Sequence, residues 1–333
     1  MTVHAALFAA AVALAAHCAP AAAQSTMKIG FASINDVQHE LAKRFAAEMG
    51  KRSGGKLKIA LYPAEQLGSI PRMLEGLNFG SVEGFIGAPE FLVGQDPRYQ
   101  IMGAPGIVDD MEHGYRLMED RAFRDALLSF GDARGIKGIG ATVYGPVVYA
   151  TRKPIHAVAD FQGMKIRVFP SPMHTVAMEK LGAVGTPMNP ADTLLALSSG
   201  AMDASRAGLN FLVTFKYFDI VKHATYIQGD AMSFAIFVVG KAWFDKQPAD
   251  VRKAMLESAA SVERGITDFA IESHRKSEDV WRKSGAELFV MEGPERQAFL
   301  QKMRTVGDDV AGKNPRIKDA YSLMVKRAEA TRR

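Results

Sequence analysis

The chain has 333 residues, 48% of them hydrophobic and 23% charged, with 41 Lys and Arg, 36 Asp and Glu and one Cys. This composition is sufficient for a hydrophobic core and excludes an intrinsically disordered chain, a collagen-like repeat and a disulfide-stabilised scaffold. The formal net charge of +5 is spread along the sequence. Nucleic-acid binding is therefore not supported, because it requires a clustered basic surface.

Residues 1–23 have the pattern of a secretory signal peptide. An apolar run at 5–16 is followed by a proline and small residues, which predicts cleavage after about Ala23 and export of the protein. The run is shorter than the roughly 20 apolar residues that cross a bilayer, so stable membrane insertion is not expected. Cys18 lies in this segment, so the mature chain would contain no thiol. A lipoprotein anchor at Cys18 is disfavoured because His17 stands where that processing signal requires a small residue.

The next part of the chain predicts an α/β fold with mainly parallel sheets, because strand-like and helix-like patterns alternate up to about residue 230. Apolar residues recur every four positions from Val37 to Met49, which indicates one face of a helix, whereas apolar residues alternate from Leu57 to Leu61, as in a strand. The first predicted elements are a strand at 28–32, a helix from 37 to about 54, a strand at 57–61, a helix at 71–78 and a strand at 82–86.

The segment 165–168 alternates charged and apolar residues and predicts a strand. Ile166 and Val168 would face the core, and Arg167 would point the other way near the carboxyl end of the strand, where ligands bind in open α/β sheets. A guanidinium in that place can bind a carboxylate with two parallel hydrogen bonds. Taken alone, however, the alternation favours an arginine paired with a neighbouring Asp or Glu on a solvated face.

Two further patterns indicate how the chain is divided. Residues 233–239 are almost wholly apolar, which predicts a strand covered on both faces. A helical pattern then runs from Ala249 to about Ser284 and ends at Gly285. At 1.5 Å per residue this helix would be roughly 54 Å long, which is longer than a small domain is wide. We therefore expect it to bridge two lobes that are connected by several strand crossings.

The usual catalytic motifs are missing from the sequence. It contains no GxSxG nucleophile elbow, no HExxH zinc helix, no Walker A loop and no cysteine outside the signal segment. The histidines beyond that segment show no pair at metal-ligand spacing. The sequence therefore predicts neither a cofactor nor a metal site.

A series of short motifs, in order along residues 27–310, resembles the solute receptors of the tripartite ATP-independent periplasmic (TRAP) transporters, the DctP-like family. The motifs are SGGK at 53–56, YP at 62–63, QLG at 66–68, GMKIRV at 163–168, LGA at 181–183, PM at 187–188, AMDA at 201–204 and KYFDI at 216–220.

The resemblance implies a two-lobed periplasmic-binding-protein (Venus flytrap) fold, with a long helix lying across both lobes. The protein would not be an enzyme. It would capture a small organic acid in the periplasm and deliver it to the membrane subunits of a TRAP transporter. The implied division is lobe I at 27–145 plus about 231–271, lobe II at 146–230 plus about 272–310, and a helical C-terminal tail at 311–333.

The resemblance also implies binding residues. Arg167 matches the arginine that forms the principal salt bridge to the ligand carboxylate in such proteins. Where many relatives carry a second ligand-facing arginine this chain has Val147, and Ala207 replaces an asparagine that often touches the ligand. Arg206 is expected either to supply a relocated second positive charge or to point to solvent.

The predicted substrate-binding residues are mostly uncharged, which favours a ligand with one carboxylate and an apolar or aromatic body. For two of them, Glu90 and His39, a polar surface role beside a helix end is almost equally compatible with the sequence. The set comprises Arg167, Arg206, Asn210, Phe211, Tyr144, Val147, Glu90 and His39.

Two alternatives remain open from the sequence. One is an exported α/β enzyme acting on a carboxylate, with Glu90 or Asp192 as the base. The other is a receptor that serves an ATP-driven (ABC) importer or a sensor kinase.

Overall fold

The structure is a computed structural model, and it describes residues 25–332. The predicted signal peptide at 1–23 lies outside the described residues. The strands are β1 (Ser25–Gly30), β2 (Leu57–Tyr62), β3 (Gly84–Gly87), β4 (Ile136–Thr151), β5 (Lys165–Val168), β6 (Val184–Pro187), β7 (Ala204–Gly208), β8 (His223–Tyr226), β9 (Met232–Gly240) and β10 (Glu287–Val290).

Helices alternate with most of these strands. The α-helices are α1 (Val37–Arg52), α2 (Ile70–Phe79), α3 (Met111–Glu119), α4 (Arg121–Ser129), α5 (Pro172–Lys180), α6 (Pro190–Ser198), α7 (Leu209–Thr214), α8 (Lys241–Asp245), α9 (Ala249–Gly265), α10 (Thr267–Lys283), α11 (Gly293–Met303), α12 (Val306–Ala311) and α13 (Pro315–Thr331). Short 3-10 helices lie at Pro89–Leu92, Pro97–Gly103, Asp132–Arg134, Val158–Phe161 and Tyr217–Asp219.

The ten strands form one mixed sheet with two parts, and the predicted two-lobed α/β fold is confirmed. We use lobe I for the part that contains β2, β1, β3 and β9, and lobe II for the part that contains β6, β5, β7, β8 and β10. Five strand pairs are parallel, namely β1–β2, β1–β3, β5–β6, β5–β7 and β8–β10. The four antiparallel pairs all involve β4 or β9. Antiparallel pairing is thus confined to pairs that include β4, which pairs with strands of both lobes, or its neighbour β9 in lobe I.

Strand β4 connects the two lobes directly. Residues 136–146 pair with β9 of lobe I, and residues 147–151 pair with β7 and β8 of lobe II. The register shifts between Val143 and Gly145, and Gly145 has φ +151°, a conformation that residues with a side chain rarely adopt. A glycine therefore allows the strand to change partners where it crosses from one lobe to the other.

The predicted long helix is divided into two helices of 17 residues, α9 and α10, which meet at Ile266. Gly265 is a weak helix former, and its carbonyl accepts a hydrogen bond from the guanidinium of Arg44, which interrupts the helical hydrogen-bond ladder. Helix α9 packs on α1 in lobe I, and α10 packs on α7 in lobe II. The two lobes are therefore bridged by a pair of helices instead of one continuous helix.

The strongest sequence patterns correspond to buried surfaces. Val37, Leu41, Phe45 and Met49 of α1 are all buried, as are all nine residues of β9. At the end of the chain, α13 packs on α3 and α4 in lobe I and is held there by an ion pair in which Arg327 Nε lies 2.9 Å from an Asp120 oxygen. In the described part of the chain, no helix is both long and apolar enough to span a bilayer.

Candidate functional site

A cavity lies between the two lobes, where β1, β3, β5 and β7 end. Most of its wall is apolar or aromatic, and Arg167 is the only charged residue among the described residues that line it. The lining residues are Ala32, Gln38, Ile70, Phe85, Ile86, Gly87, Ala88 and Phe91 from lobe I, Tyr144 and Ser233 from the connecting strands, and Arg167, Phe169, Pro190, Gly208 and Phe211 from lobe II.

Arg167 is held in a fixed orientation at the carboxyl end of β5. Its Nε and Nη2 both donate to the carbonyl oxygen of Met188, at 2.9 and 2.8 Å. The guanidinium carbon lies 4.8 Å from the centre of the Phe169 ring, a cation–π contact. The hydrogen bonds to Met188 occupy the edge of the guanidinium formed by Nε and Nη2. The edge that carries Nη1 can therefore donate hydrogen bonds to a planar group with two acceptor oxygens.

Arg167 forms no ion pair with any residue that the structure describes. The side chain is fully buried, and no carboxylate of the described residues lies within ion-pair distance of it. Its Nη1 is buried without a hydrogen-bond partner. Burial lowers the pKa of Arg167 to about 10, with Tyr217 and Glu90 opposing this shift. The group therefore stays cationic at neutral pH, which is the electrostatic requirement for binding an anion.

Tyr144 and Phe211 also line the cavity. The Tyr144 hydroxyl donates to Asp36 Oδ2 at 2.7 Å, and the other carboxylate oxygen of Asp36 caps α1 by accepting the N–H of His39 at 3.1 Å. Burial raises the pKa of Asp36, although the hydrogen bonds that its carboxylate accepts from Tyr144 and from the N–H of His39 act in the opposite direction. The Tyr144 hydroxyl is therefore hydrogen-bonded within the protein, and the Tyr144 ring forms part of the cavity wall.

Arg206 occupies a different environment from Arg167. It is 1% exposed, so it does not point to solvent, and it is absent from the cavity wall. Its Nη2 donates to Asp230 Oδ1 and its Nε to the Tyr149 hydroxyl, at 2.9 and 3.0 Å, and its Nη1 donates to His174 Nδ1. Burial lowers the pKa of Arg206, but Asp230 and Tyr149 outweigh it and the net shift is upward. The charge is thus neutralised internally and is not available to a ligand.

Val147 and Asn210 are not among the described residues that line the cavity. Val147 is buried in β4 beside Gly208, and its N–H donates to the carbonyl of Ala231 at 3.1 Å. Asn210 Nδ2 donates to the carbonyl of Tyr144 at 3.4 Å, and the residue borders a separate groove next to α10.

Glu90 and His39 are also absent from the described cavity wall, and both have hydrogen-bond partners in the protein. Glu90 Oε1 accepts from His174 Nε2 at 3.2 Å, a contact between lobe I and lobe II. His39 Nδ1 accepts from the N–H of Asn35 at 3.1 Å, and its ring packs against Phe31. The polar role beside a helix end, which the sequence left open, describes His39.

Several lining residues were not predicted from the sequence, among them Phe91, Phe169 and Ser233. Gln38 lies in the segment 35–39, which the sequence also indicates as a candidate part of the pocket. A usable signal was present for two of the others, because Phe91 lies shortly after the carboxyl end of β3 and Phe169 directly follows β5.

The carboxylates that the sequence offered as a catalytic base lie outside the cavity wall that the structure describes. Glu90 contacts His174, and Asp192 is exposed on α6. Among residues 25–332, no group of three or more His, Cys, Asp or Glu side chains could hold a metal ion. The arrangement is suited to holding an anion with an apolar body.

Comparison with known proteins gives a consistent result. The family model of DctP, described as bacterial extracellular solute-binding protein, family 7, matches residues 30–314. The chain is 27% identical over 288 residues to the 2,3-diketo-L-gulonate-binding periplasmic protein of Escherichia coli K12, covering 86% of this chain and 87% of the relative. It is 26% identical over 280 residues to the C4-dicarboxylate-binding periplasmic protein of Rhodobacter capsulatus, covering 81% of each.

Solved structures show the same fold. A TRAP periplasmic solute binding protein from Desulfovibrio salexigens, with bound orotic acid, matches with a TM-score of 0.87 at 21% sequence identity, covering 92% of this chain and 99% of that one. A TRAP periplasmic solute binding protein from Shewanella oneidensis, with bound succinate, matches with a TM-score of 0.85 at 20% identity, covering 92% of this chain and all of that one.

Proposed function

The chain belongs to the DctP family of bacterial extracellular solute-binding proteins, and from this premise we propose that it is the periplasmic receptor of a TRAP transporter. It captures a small organic acid through Arg167 and delivers it to the membrane subunits of the transporter. The family and its structural neighbours are solute-binding proteins, which is consistent with a role other than catalysis.

One observation carries the proposal. Arg167 is a buried cation that forms no ion pair within residues 25–332, and its unpaired Nη1 belongs to a residue of the cavity wall. An uncompensated charge is costly to bury, so its presence in the fold needs a compensating partner. A ligand carboxylate supplies both the negative charge and two planar hydrogen-bond acceptors.

The cavity also limits the class of acid. Arg167 is the single cation in the described wall, and its neighbours include Phe85, Phe91, Phe169 and Phe211. A second carboxylate would lose its hydration against these rings without gaining a counter-charge. The ligand is therefore a monocarboxylate whose remaining surface is largely apolar, unlike the C4-dicarboxylates that name the Rhodobacter relative.

The position of the cavity supports a role in delivery. Its wall is drawn from both lobes, so a bound acid contacts Arg167 of lobe II and apolar residues of lobe I at the same time. Part of the free energy of ligand binding can therefore stabilise the conformation in which the two lobes are closed around the ligand. A membrane carrier that recognises this conformation would accept the loaded receptor in preference to the free one.

The test is ligand binding by wild-type protein and Arg167→Met. C2–C10 mono-, di- and keto-acids are screened by thermal shift, in which a ligand at 100 times its Kd adds about 2.7 kcal/mol of stability. Isothermal titration calorimetry then measures the affinity of the best acid. We expect the variant to lose about 2–5 kcal/mol of binding free energy, or roughly thirty-fold to several-thousand-fold in affinity.

Lys165→Met is the matched control, because Lys165 is the exposed residue two positions earlier on the same strand. It should bind as wild type does. Unchanged affinity in Arg167→Met contradicts the site, and a screen in which only dicarboxylates bind contradicts the single-carboxylate class. Acid recovered chemically unchanged after prolonged incubation distinguishes a receptor from an enzyme.

A further inference from the structure

Among the residues that line the cavity, two have a buried side-chain polar atom without a hydrogen-bond partner in the described protein. One is Arg167 at Nη1, and the other is Gln38 at Oε1. A buried polar atom is almost always paired in a folded protein, so each such exception calls for an explanation. The proposed ligand carboxylate would be the hydrogen-bond partner of Arg167 Nη1, but it provides no partner for Gln38 Oε1.

Gln38 is positioned by the start of α1. The helix begins at Val37 behind the capping carboxylate of Asp36, and the buried side chains of Val37 and Leu41 fix the face that turns toward the core. Gln38 therefore projects from lobe I, whereas Arg167 projects from lobe II. The two unpaired groups belong to the same cavity but to opposite lobes.

The chemistry of a carboxamide limits its partner. It offers an accepting oxygen and a donating nitrogen but no charge, so it can compensate neither a second carboxylate nor an ammonium group. A hydroxyl group both donates and accepts, and it therefore pairs with either carboxamide atom. A hydroxyl group is also small enough to be a substituent of a compact acid.

We propose that the ligand is a hydroxy monocarboxylic acid with an apolar body, and that Gln38 determines this specificity by hydrogen-bonding the ligand hydroxyl. The inference rests on the proposed function, because it assigns the second polar contact of the acid held by Arg167. One acid would then make polar contacts with both lobes, its carboxylate with Arg167 of β5 and its hydroxyl with Gln38 of α1. An acid without the hydroxyl would leave the Gln38 carboxamide unpaired.

The test compares acids that differ only in the hydroxyl: lactate with propionate, 2-hydroxyisovalerate with isovalerate, 3-hydroxybutyrate with butyrate, and mandelate with phenylacetate. Wild-type protein should bind the hydroxy member of at least one pair about tenfold to a hundredfold more tightly. In Gln38→Met, which has a similar volume and no hydrogen-bonding amide, the affinity for that hydroxy acid should fall by the same factor. The affinity for its partner acid should change by less than about threefold.

Gln301→Met makes the same substitution at an exposed position of α11 and should retain the wild-type preference. The comparison of acids on wild-type protein needs no variant, so it remains decisive even if Gln38→Met folds poorly. Acids that bind through Arg167 without any preference for a hydroxyl, or a preference that persists in Gln38→Met, overturn this inference and leave the proposed function standing. If Arg167→Met binds every acid as wild type does, the proposed function fails as well.

Discussion

Two buried arginines on neighbouring strands have opposite electrostatic situations. Arg167 of β5 is paired in register with Ser205 of β7, and Arg206 follows immediately. The two arginines are 0% and 1% exposed. Arg206 is neutralised by Asp230 and further held by Tyr149 and His174, whereas Arg167 has only the Met188 carbonyl and an aromatic face. Burial alone therefore does not distinguish a structural cation from one available to a ligand; the presence of an internal counter-charge does.

The largest difference is expected in stability. Arg206→Met leaves the Asp230 carboxylate buried and unpaired, and it should lower the free energy of unfolding by about 3–5 kcal/mol. Arg167→Met breaks no ion pair among the described residues. It should therefore change the free energy of unfolding by less than about 1 kcal/mol while weakening ligand binding. Urea denaturation without ligand measures both values.

The double variant Arg206→Met/Asp230→Leu removes both charges and should recover much of the loss seen in Arg206→Met. If Arg167→Met proves as destabilising as Arg206→Met, the two arginines are both structural and the distinction drawn between them fails.

A smaller, pH-dependent difference is expected from His174. Arg206 can only donate, so His174 accepts at Nδ1 and carries its proton on Nε2, which faces Glu90. Burial lowers the pKa of His174 from 6.5, and the Arg206 charge acts in the same direction, although Glu90 and Asp230 oppose it. A histidine whose pKa is lowered by folding stabilises the native state above about pH 6.5, and this contribution is lost as the pH falls below that value.

Wild-type protein should therefore lose more stability between pH 7 and pH 5 than His174→Gln, whose side chain does not titrate. Melting temperatures across this range provide the measurement. His223→Gln is the control, because His223 lies on β8 in an exposed contact with Glu287. Identical pH profiles for wild type and His174→Gln would show that His174 does not contribute this pH dependence.

The smallest effect concerns the aromatic face of Arg167. Phe169→Leu removes a ring 4.8 Å from the guanidinium but keeps an apolar wall. We expect a ligand affinity about twofold to fivefold weaker, as for the loss of a modest cation–π contact. Phe130→Leu is the matched control, since the Phe130 ring lies 4.4 Å from the guanidinium carbon of Arg98 and does not line the cavity. Phe130→Leu should lower the free energy of unfolding but leave ligand affinity unchanged. Equal losses of ligand affinity in Phe169→Leu and Phe130→Leu would argue against a direct role for Phe169.

Much of the fold could be predicted because its signals are local. The predicted strand at 165–168 coincides with β5, and the apolar run at 233–239 lies within β9. The prediction of one continuous helix at 249–284 was less accurate. The division at Ile266 involves Arg44, which is more than two hundred residues away in the chain. Local periodicity contains no information about such a contact.

The sequence by itself determined the order of strands and helices, the family, and the position of Arg167 at the end of a strand. The first and the last depend on residue spacing, since spacing decides which side chains share a face of a strand or helix, whereas the family follows from the resemblance of short motifs in order along the chain. Only the tertiary structure decided that Asp230 neutralises Arg206 and leaves Arg167 without an acid, and that Gln38 belongs to the same cavity. Coulomb and hydrogen-bond energies depend on distances of a few ångströms between groups that folding brings together from distant parts of the chain.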